Sequence, residues 1–275
     1  MAGKSNDLMM QATVKSSHPA TSERNDRSHG LIVNADDWGR DVETTGRILE
    51  CFKCGTLSST SGMVFMEDSE RAAGIALQHG IDVGLHLNFT TSFSASTIPE
   101  KLLGAQLRLK RFLRGSRLAQ VFYHPGLVQT FRYVVDAQIA EFRRLYGAAP
   151  KRVDGHHHMH LCANVLLGGL LPTGAIVRRN FSFAPGEKSG INRIYRKWQD
   201  RIIERNHPVA RYFFSIEPLE RPDRLTRILD LAKNSLVELE THPANLQEFQ
   251  FLTGGEFNRR SAPVGVMSRY EVGKG

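Results

Sequence analysis

The chain has 275 residues, a 41% apolar share and a formal net charge of +8. That length supports one large domain with its own core, or two small ones. No run of about 18 apolar residues occurs, which excludes a transmembrane helix. The three cysteines, Cys51, Cys54 and Cys162, argue against a disulfide framework and for a reducing cytoplasm.

In chain order, residues 1–29 are polar, lack an apolar signal core and read as a disordered leader. Leu31-Ile32-Val33 reads as a buried strand ending in Asn34-Ala35-Asp36-Asp37-Trp38-Gly39. Neighbouring strand residues face opposite ways, so Asp36 and Asp37 need different roles unless the backbone turns there. A helix follows over Val42 to Cys54, with Gly55 suited to its C-terminal cap. Cys51-Phe52-Lys53-Cys54 lacks a second pair at zinc-finger spacing and reads as helix packing. Leu57 to Phe65 is a second strand, Ser69 to His79 a helix closed by Gly80, and Ile81 to Phe89 a third strand with His86 near its end.

Thr90 to Pro125 resembles an insertion. Within it, Lys101 to Gln120 predicts a basic amphipathic helix, and 101–117 holds six Lys/Arg and no acid. Such a helix packs on the domain, lids an anionic substrate or touches a membrane surface. Leu127 to Tyr146 is helical, and Arg152-Val153-Asp154 is a fourth strand. It leads into Gly155-His156-His157-His158-Met159-His160, which holds four of the eleven histidines. If this segment is extended, His156, His158 and His160 share one face and His157 takes the other. Neutral imidazole is the commonest protein ligand for a transition metal, so the cluster predicts a metal or catalytic site.

Leu161 to Leu171 predicts a short helix and Ala175 to Arg179 a fifth strand, whose arginines can orient a carboxylate or bind an anion. Ile191 to Asn206 is a charged helix, Tyr212 to Ile216 a weak strand and Pro222 to Asn234 a helix. Leu236 to Pro243 is a last strand with Glu238, Glu240 and His242 on one face. The remainder packs through Phe249, Phe251 and Leu252, then frays over 261–275.

The alternation of strands and helices predicts an α/β fold with a largely parallel sheet, organised as one domain over 30–260 that includes the basic insertion 90–125. Polar residues recur at strand C-termini: Asp36 and Asp37, His86, His156, and His242. A β/α (TIM-like) barrel, distorted or incomplete, builds its site at that face; an open doubly wound sheet is the alternative. No Gly-rich phosphate loop follows the first strand, which argues against nucleotides. A carboxylate with two histidines from separate strands leaves coordination positions open on a divalent metal. A second carboxylate and a further histidine then supply a base and an acid for hydrolysis of an amide, an ester or a phosphoester.

The four motifs Leu31 to Gly39, Gly84-Leu85-His86-Leu87, Asp154 to His160 and Glu238 to Pro243 occur in the order of a known family. Over roughly Leu31 to Phe257 the chain resembles the YdjC-like carbohydrate deacetylases, the group containing chitooligosaccharide deacetylase and hopanoid-associated relatives. The resemblance implies a distorted β/α barrel, one divalent ion, Mg²⁺ or Zn²⁺, and removal of an N-acetyl group from an amino sugar. It implies Asp37, His86 and His156 as metal ligands, Asp36 as base, His242 as acid and Arg178 as the residue that orients Asp36 or substrate. Asp154, His158, His160 and Glu238 fall around them in supporting positions. A homodimer is implied by resemblance alone. Trp38 stands where phenylalanine is usual, and Glu240 where an apolar residue is usual. An N-acetylated carbohydrate is the expected partner. The absence of RNA-type aromatic motifs argues against nucleic acid, although a basic protein binding nucleic acid or anionic lipid remains an alternative.

Overall fold

The computed structural model describes residues 29–116, 118–183, 189–219 and 222–272. The expected leader, apart from His29, lies outside them. Seven strands form one sheet: β1 (Gly30–Trp38), β2 (Ser59–Gly62), β3 (Val83–Leu87), β4 (Arg152–Gly155), β5 (Ile176–Val177), β6 (Tyr212–Ser215) and β7 (Leu236–Thr241). Every pairing is parallel and the order is β5-β4-β3-β2-β1-β7-β6. Helices α1 (Val42–Lys53), α2 (Ser69–His79), α3 (Glu100–Gly115), α4 (Val128–Tyr146), α5 (Ala163–Leu167), α6 (Gly190–Glu204), α7 (Pro222–Ala232), α8 (Leu246–Thr253) and α9 (Glu256–Ser261) fill the connections.

The sheet curls until its two ends approach. No ladder joins β5 to β6, yet the chain after β5 donates from Ser182 N to Phe213 O (2.7 Å), and Val177 N bonds Pro208 O (3.1 Å). The result is an incomplete barrel. Alternation along the strands sorts its two faces. Leu31, Val33, Ala35, Val237 and Leu239 pack outward in the core that includes α1, α2 and α7 residues, while Leu85, Leu87 and Val153 share a core with α3 and α4. Most inward positions are polar: Asn34, Asp36, Ser59, Ser61, His86, Arg152, Asp154, Arg178, Glu238 and Glu240 are all buried. Gly84 leaves room for one of them, since a Cβ there would lie 2.8 Å from the Arg152 guanidinium carbon.

Helix boundaries follow the sequence signals. Asp41 caps α1 by accepting from Thr44 N, and Gly80 and Gly147 take left-handed φ of 64° and 74° after α2 and α4. Three expectations need correction. The basic helix stops at Gly115, short of Gln120. It buries Leu102, Leu109 and Leu113 and packs beside α4, so the packing role holds for that face. The stretch 161–171 forms only the five residues of α5. The tail does not fray after residue 260 over its described part: Val266 bridges Leu31, and Met267 and Tyr270 are buried with Ile32 and Leu236 at the N-terminal mouth of the barrel. Sparse apolar spacing hid that plug from sequence.

Candidate active site

The polar residues at the strand ends meet at the opposite mouth. β1 carries Asn34 and Asp36 inward. Asp37 would then point outward, but its φ of 71° turns the backbone and returns its carboxylate to the same side. His86 Nε2 lies 3.9 Å from Asp36 and 3.4 Å from Asp37.

The histidine run departs from the expected extended segment. His156 to Leu161 coils into 3-10 turns, with His157 and His158 left-handed at φ 55° and 57°. Its four imidazoles therefore diverge. His156 Nδ1 reaches Asp37 Oδ1 at 2.9 Å. His157 Nδ1 meets Thr90 Oγ1 at 2.9 Å. His158 Nε2 lies 3.6 Å from Glu240 and its ring packs against Phe181 and Phe213. His160 Nε2 bonds the carbonyl of Arg178 at 2.9 Å. Burial pulls the pKa of His157 and His160 down to about 4, so both are neutral near pH 7.

Asp37, His86 and His156 offer one ligand atom each, all within 4.8 Å of one another. Asp37 Oδ1 and His86 Nε2 are buried and make no well-formed hydrogen bond. Such orphaned buried polar atoms are costly unless something fills the space between them. A divalent ion with nitrogen and oxygen ligands fits this set. Asp154 Oδ1 holds His86 Nδ1 at 2.8 Å, which aims Nε2 at Asp37. Ser61 Oγ donates to the other Asp154 oxygen at 2.6 Å, and Arg40 supports Asp37 Oδ2 at 3.0 Å.

Arg178 is fully buried behind the cluster. Its guanidinium reaches Asp36 through two nitrogens (2.7 and 2.8 Å), Asp154 at 2.9 Å, Glu238 at 2.7 Å and Glu240 at 3.0 Å. Burial alone would raise the Asp36 pKa, but Arg178, with His86 and His242, holds it far below the usual carboxylate range. Burial of His86 is likewise outweighed by the charges of Asp36 and Asp154, which raise its pKa to about 10. Glu240 goes the other way: burial and the Asp36 charge push it well above its ordinary value. His242 is the exposed partner, with 39% of its side chain accessible and Nε2 3.8 Å from Asp36 Oδ2. Glu248 accepts from its backbone N–H at 2.7 Å.

The sequence-predicted site residues therefore lie together, His158 joining through Glu240, and His160 and Glu238 through Arg178. Sequence reasoning missed Asn34, Ser61, Arg152 and Tyr270. Asn34 Nδ2 donates to both Asp36 Oδ1 (2.9 Å) and Ser61 Oγ (2.8 Å). Arg152 stacks on Tyr270, whose hydroxyl donates to Glu238 at 2.6 Å. Asn34 and Ser61 sit two residues from site positions or on the neighbouring strand, so inward alternation was an available signal. The cysteines take no part: burial pushes the Cys51 and Cys162 thiols up to about 12.

A cleft of about 210 Å³ adjoins the histidines. His157, His158, Phe181, Tyr195 and Arg196 are among its walls. The loop carrying Gln120 and Val121 faces α6 across it.

Comparison with known proteins finds one family model and several relatives. A family model described as YdjC-like protein matches residues 30–262. Chitooligosaccharide deacetylase from Proteus mirabilis is 34% identical over 137 residues, covering 49% of this chain and 51% of that protein. Carbohydrate deacetylase from Brevibacillus brevis is 27% identical over 248 residues, covering 88% of this chain and 92% of that protein. The matched segment spans about half the length of the Proteus protein and of several other curated relatives. A crystal structure from Enterococcus faecalis, provisionally described as a cellobiose-phosphate cleavage protein, shares the fold with a TM-score of 0.61 at 20% identity. It covers 86% of this chain and 95% of that one.

Proposed function

The chain belongs to the YdjC-like family, and on that footing we propose that it is a metal-dependent N-deacetylase of an acetylated amino sugar. The observation that carries the reading is the paired carboxylates on β1. Asp37 joins two histidines around one point, while Asp36, one residue away, is held by Arg178 and faces His242.

In this reading Asp37, His86 and His156 hold one divalent ion, Mg²⁺ or Zn²⁺. When bound, the ion supplies Lewis-acid polarisation of the acetamide carbonyl and acidifies a water. Asp36 Oδ2 accepts the proton of the attacking water. Arg178 fixes that carboxylate by two hydrogen bonds and keeps it ionised, so it is always an acceptor at neutral pH. His242, on the open side, donates a proton from Nε2 to the departing amine. Water and amide thus give acetate and a free amino sugar. Phe181 and Tyr195 offer faces for a sugar ring in the adjoining cleft. A cytoplasmic place suits the free cysteines; no helix is long and apolar enough to cross a membrane.

The test is acetate release from N-acetylglucosamine oligomers by chelator-stripped protein, before and after addition of a divalent metal. Release should depend on the metal, and Asp36→Asn should lower kcat by at least about a hundredfold, in the range of a lost general base. Unchanged release in Asp36→Asn removes the base assignment. Turnover of phosphoesters with none of acetylated sugars overturns the deacetylase reading.

A further inference from the structure

Among the described residues, twelve large apolar side chains are exposed, and eight of them lie on α3, the loop after it and α6; the others are Val42, Leu77, Leu167 and Leu246. The most exposed of the eight are Ile194 (70%) and Phe122 (62%). Leu118, Val121, Tyr123 and Trp198 join them. These six belong to the loop 118–123 and to one stripe of α6, since Ile194 and Trp198 are four residues apart. The loop is anchored, not loose. Ala163 N bonds Gln120 O (2.8 Å), Asn164 and His124 exchange hydrogen bonds, and the Phe112 ring of α3 packs on His124. Val121 and Tyr195 line opposite sides of the cleft that leads to His157 and His158. Val121 lines the cleft itself, and exposed Phe122 and Ile194 are the chain neighbours of its lining residues Val121 and Tyr195, so this apolar surface borders the cleft as a rim.

The same helices carry most of the chain's net positive charge. Together α3 and α6 hold nine basic and three acidic residues, six of the net eight positive charges. Trp198 is followed along its stripe by Arg201, and Arg205 continues it beyond the helix. Aromatic and aliphatic tips next to Lys and Arg, on a surface with no crossing helix, are the chemistry of a protein that rests on a bilayer. An anionic leaflet attracts this unbalanced positive charge.

We propose that this rim docks the protein on an anionic lipid surface, with Phe122 and Ile194 entering the headgroup region and the Arg/Lys residues of α3 and α6 contacting lipid phosphates. Docked so, the cleft opens at the membrane and takes its acetylated amino sugar from a lipid-borne glycan. This substrate assignment rests on the deacetylase reading; the docking does not.

The test is binding of the full chain to vesicles of phosphatidylcholine, with and without phosphatidylglycerol, by sedimentation and tryptophan emission. Trp38 is fully buried and Trp198 is 42% exposed, so a blue shift on binding reports Trp198. The expected result is binding to the anionic vesicles, weakened by salt. The Phe122→Ser/Ile194→Ser double variant should lose at least about tenfold in partition. Its acetate release from a soluble N-acetylglucosamine oligomer should match wild type. No binding to anionic vesicles, or binding indifferent to the double substitution, overturns the proposal. So does a wild-type dimer that the double substitution dissociates, because a second copy would then cover the rim. Vesicle binding with no acetate release from any substrate would sink only the deacetylase reading.

Discussion

Arg178 holds together side chains that would otherwise repel. Four carboxylates converge on one guanidinium, and Asp36 takes two of its nitrogens. Lysine offers a point charge without this fork geometry and cannot replace it. The electrostatic consequence shows at His86. Its pKa in the ion-free protein is about 10, above the ordinary 6.5. A raised histidine pKa stabilises the fold fully below pH 6.5, and that stability is lost as pH rises toward 10. A divalent ion displaces the proton and should remove this dependence. Thermal midpoints measured with chelator should therefore fall between pH 7 and 10, and the fall should shrink when metal is present. Equal slopes with and without metal would exclude His86 as a ligand.

The strands were legible because apolar runs ending in Asp or His mark strand C-termini, and Asp36, Asp37, His86 and His242 all fall where those runs end. The helices were legible through their caps and periodicity, as Gly80 and Gly147 illustrate. The histidine turn was not. Two successive non-glycine residues at positive φ are disfavoured locally, so only tertiary contacts select them. Those contacts come from Asp37, Thr90, Glu240 and the Arg178 carbonyl, which lie far away in sequence. Gly155 permits the turn by proximity. A Cβ there would lie 2.9 Å from the His160 backbone nitrogen and 3.2 Å from its Nδ1. Gly155→Ala should cost about 1–3 kcal/mol through overpacking and weaken metal binding, read by denaturant melts and calorimetric titration. A variant with wild-type stability and metal affinity would show that the turn adapts freely.

At the scale of the molecule the usual arrangement of a barrel is modified: helices keep the outside apolar, while the inside is wired with hydrogen bonds from one mouth to the other. At the closed mouth, Tyr270 ties the tail to Glu238 and stacks under Arg152. Glu238 in turn holds Arg178. Tyr270→Phe leaves a buried carboxylate oxygen without its donor and should cost about 1–3 kcal/mol. That corresponds to a fall in Tm of several degrees, at roughly 2–4 °C per kcal/mol for a chain of this order of size. A melting temperature unchanged from wild type would mean that Glu238 is satisfied without the tail.

The pairing of β1 has a further consequence, for the birth of the protein. Six residues of β1, Gly30 to Ala35, pair with β7, Leu236 to Thr241. Roughly 200 residues separate the two strands, so at cellular rates of translation about 10 to 40 seconds pass before the partner is made. During that interval the ribosome has released Leu31-Ile32-Val33 with one strand edge bare, an invitation to mispairing. Closure late in synthesis also favours slow, non-local folding. Refolding yield should therefore fall steeply with protein concentration, and a chaperone that shields the emerging first strand should restore it.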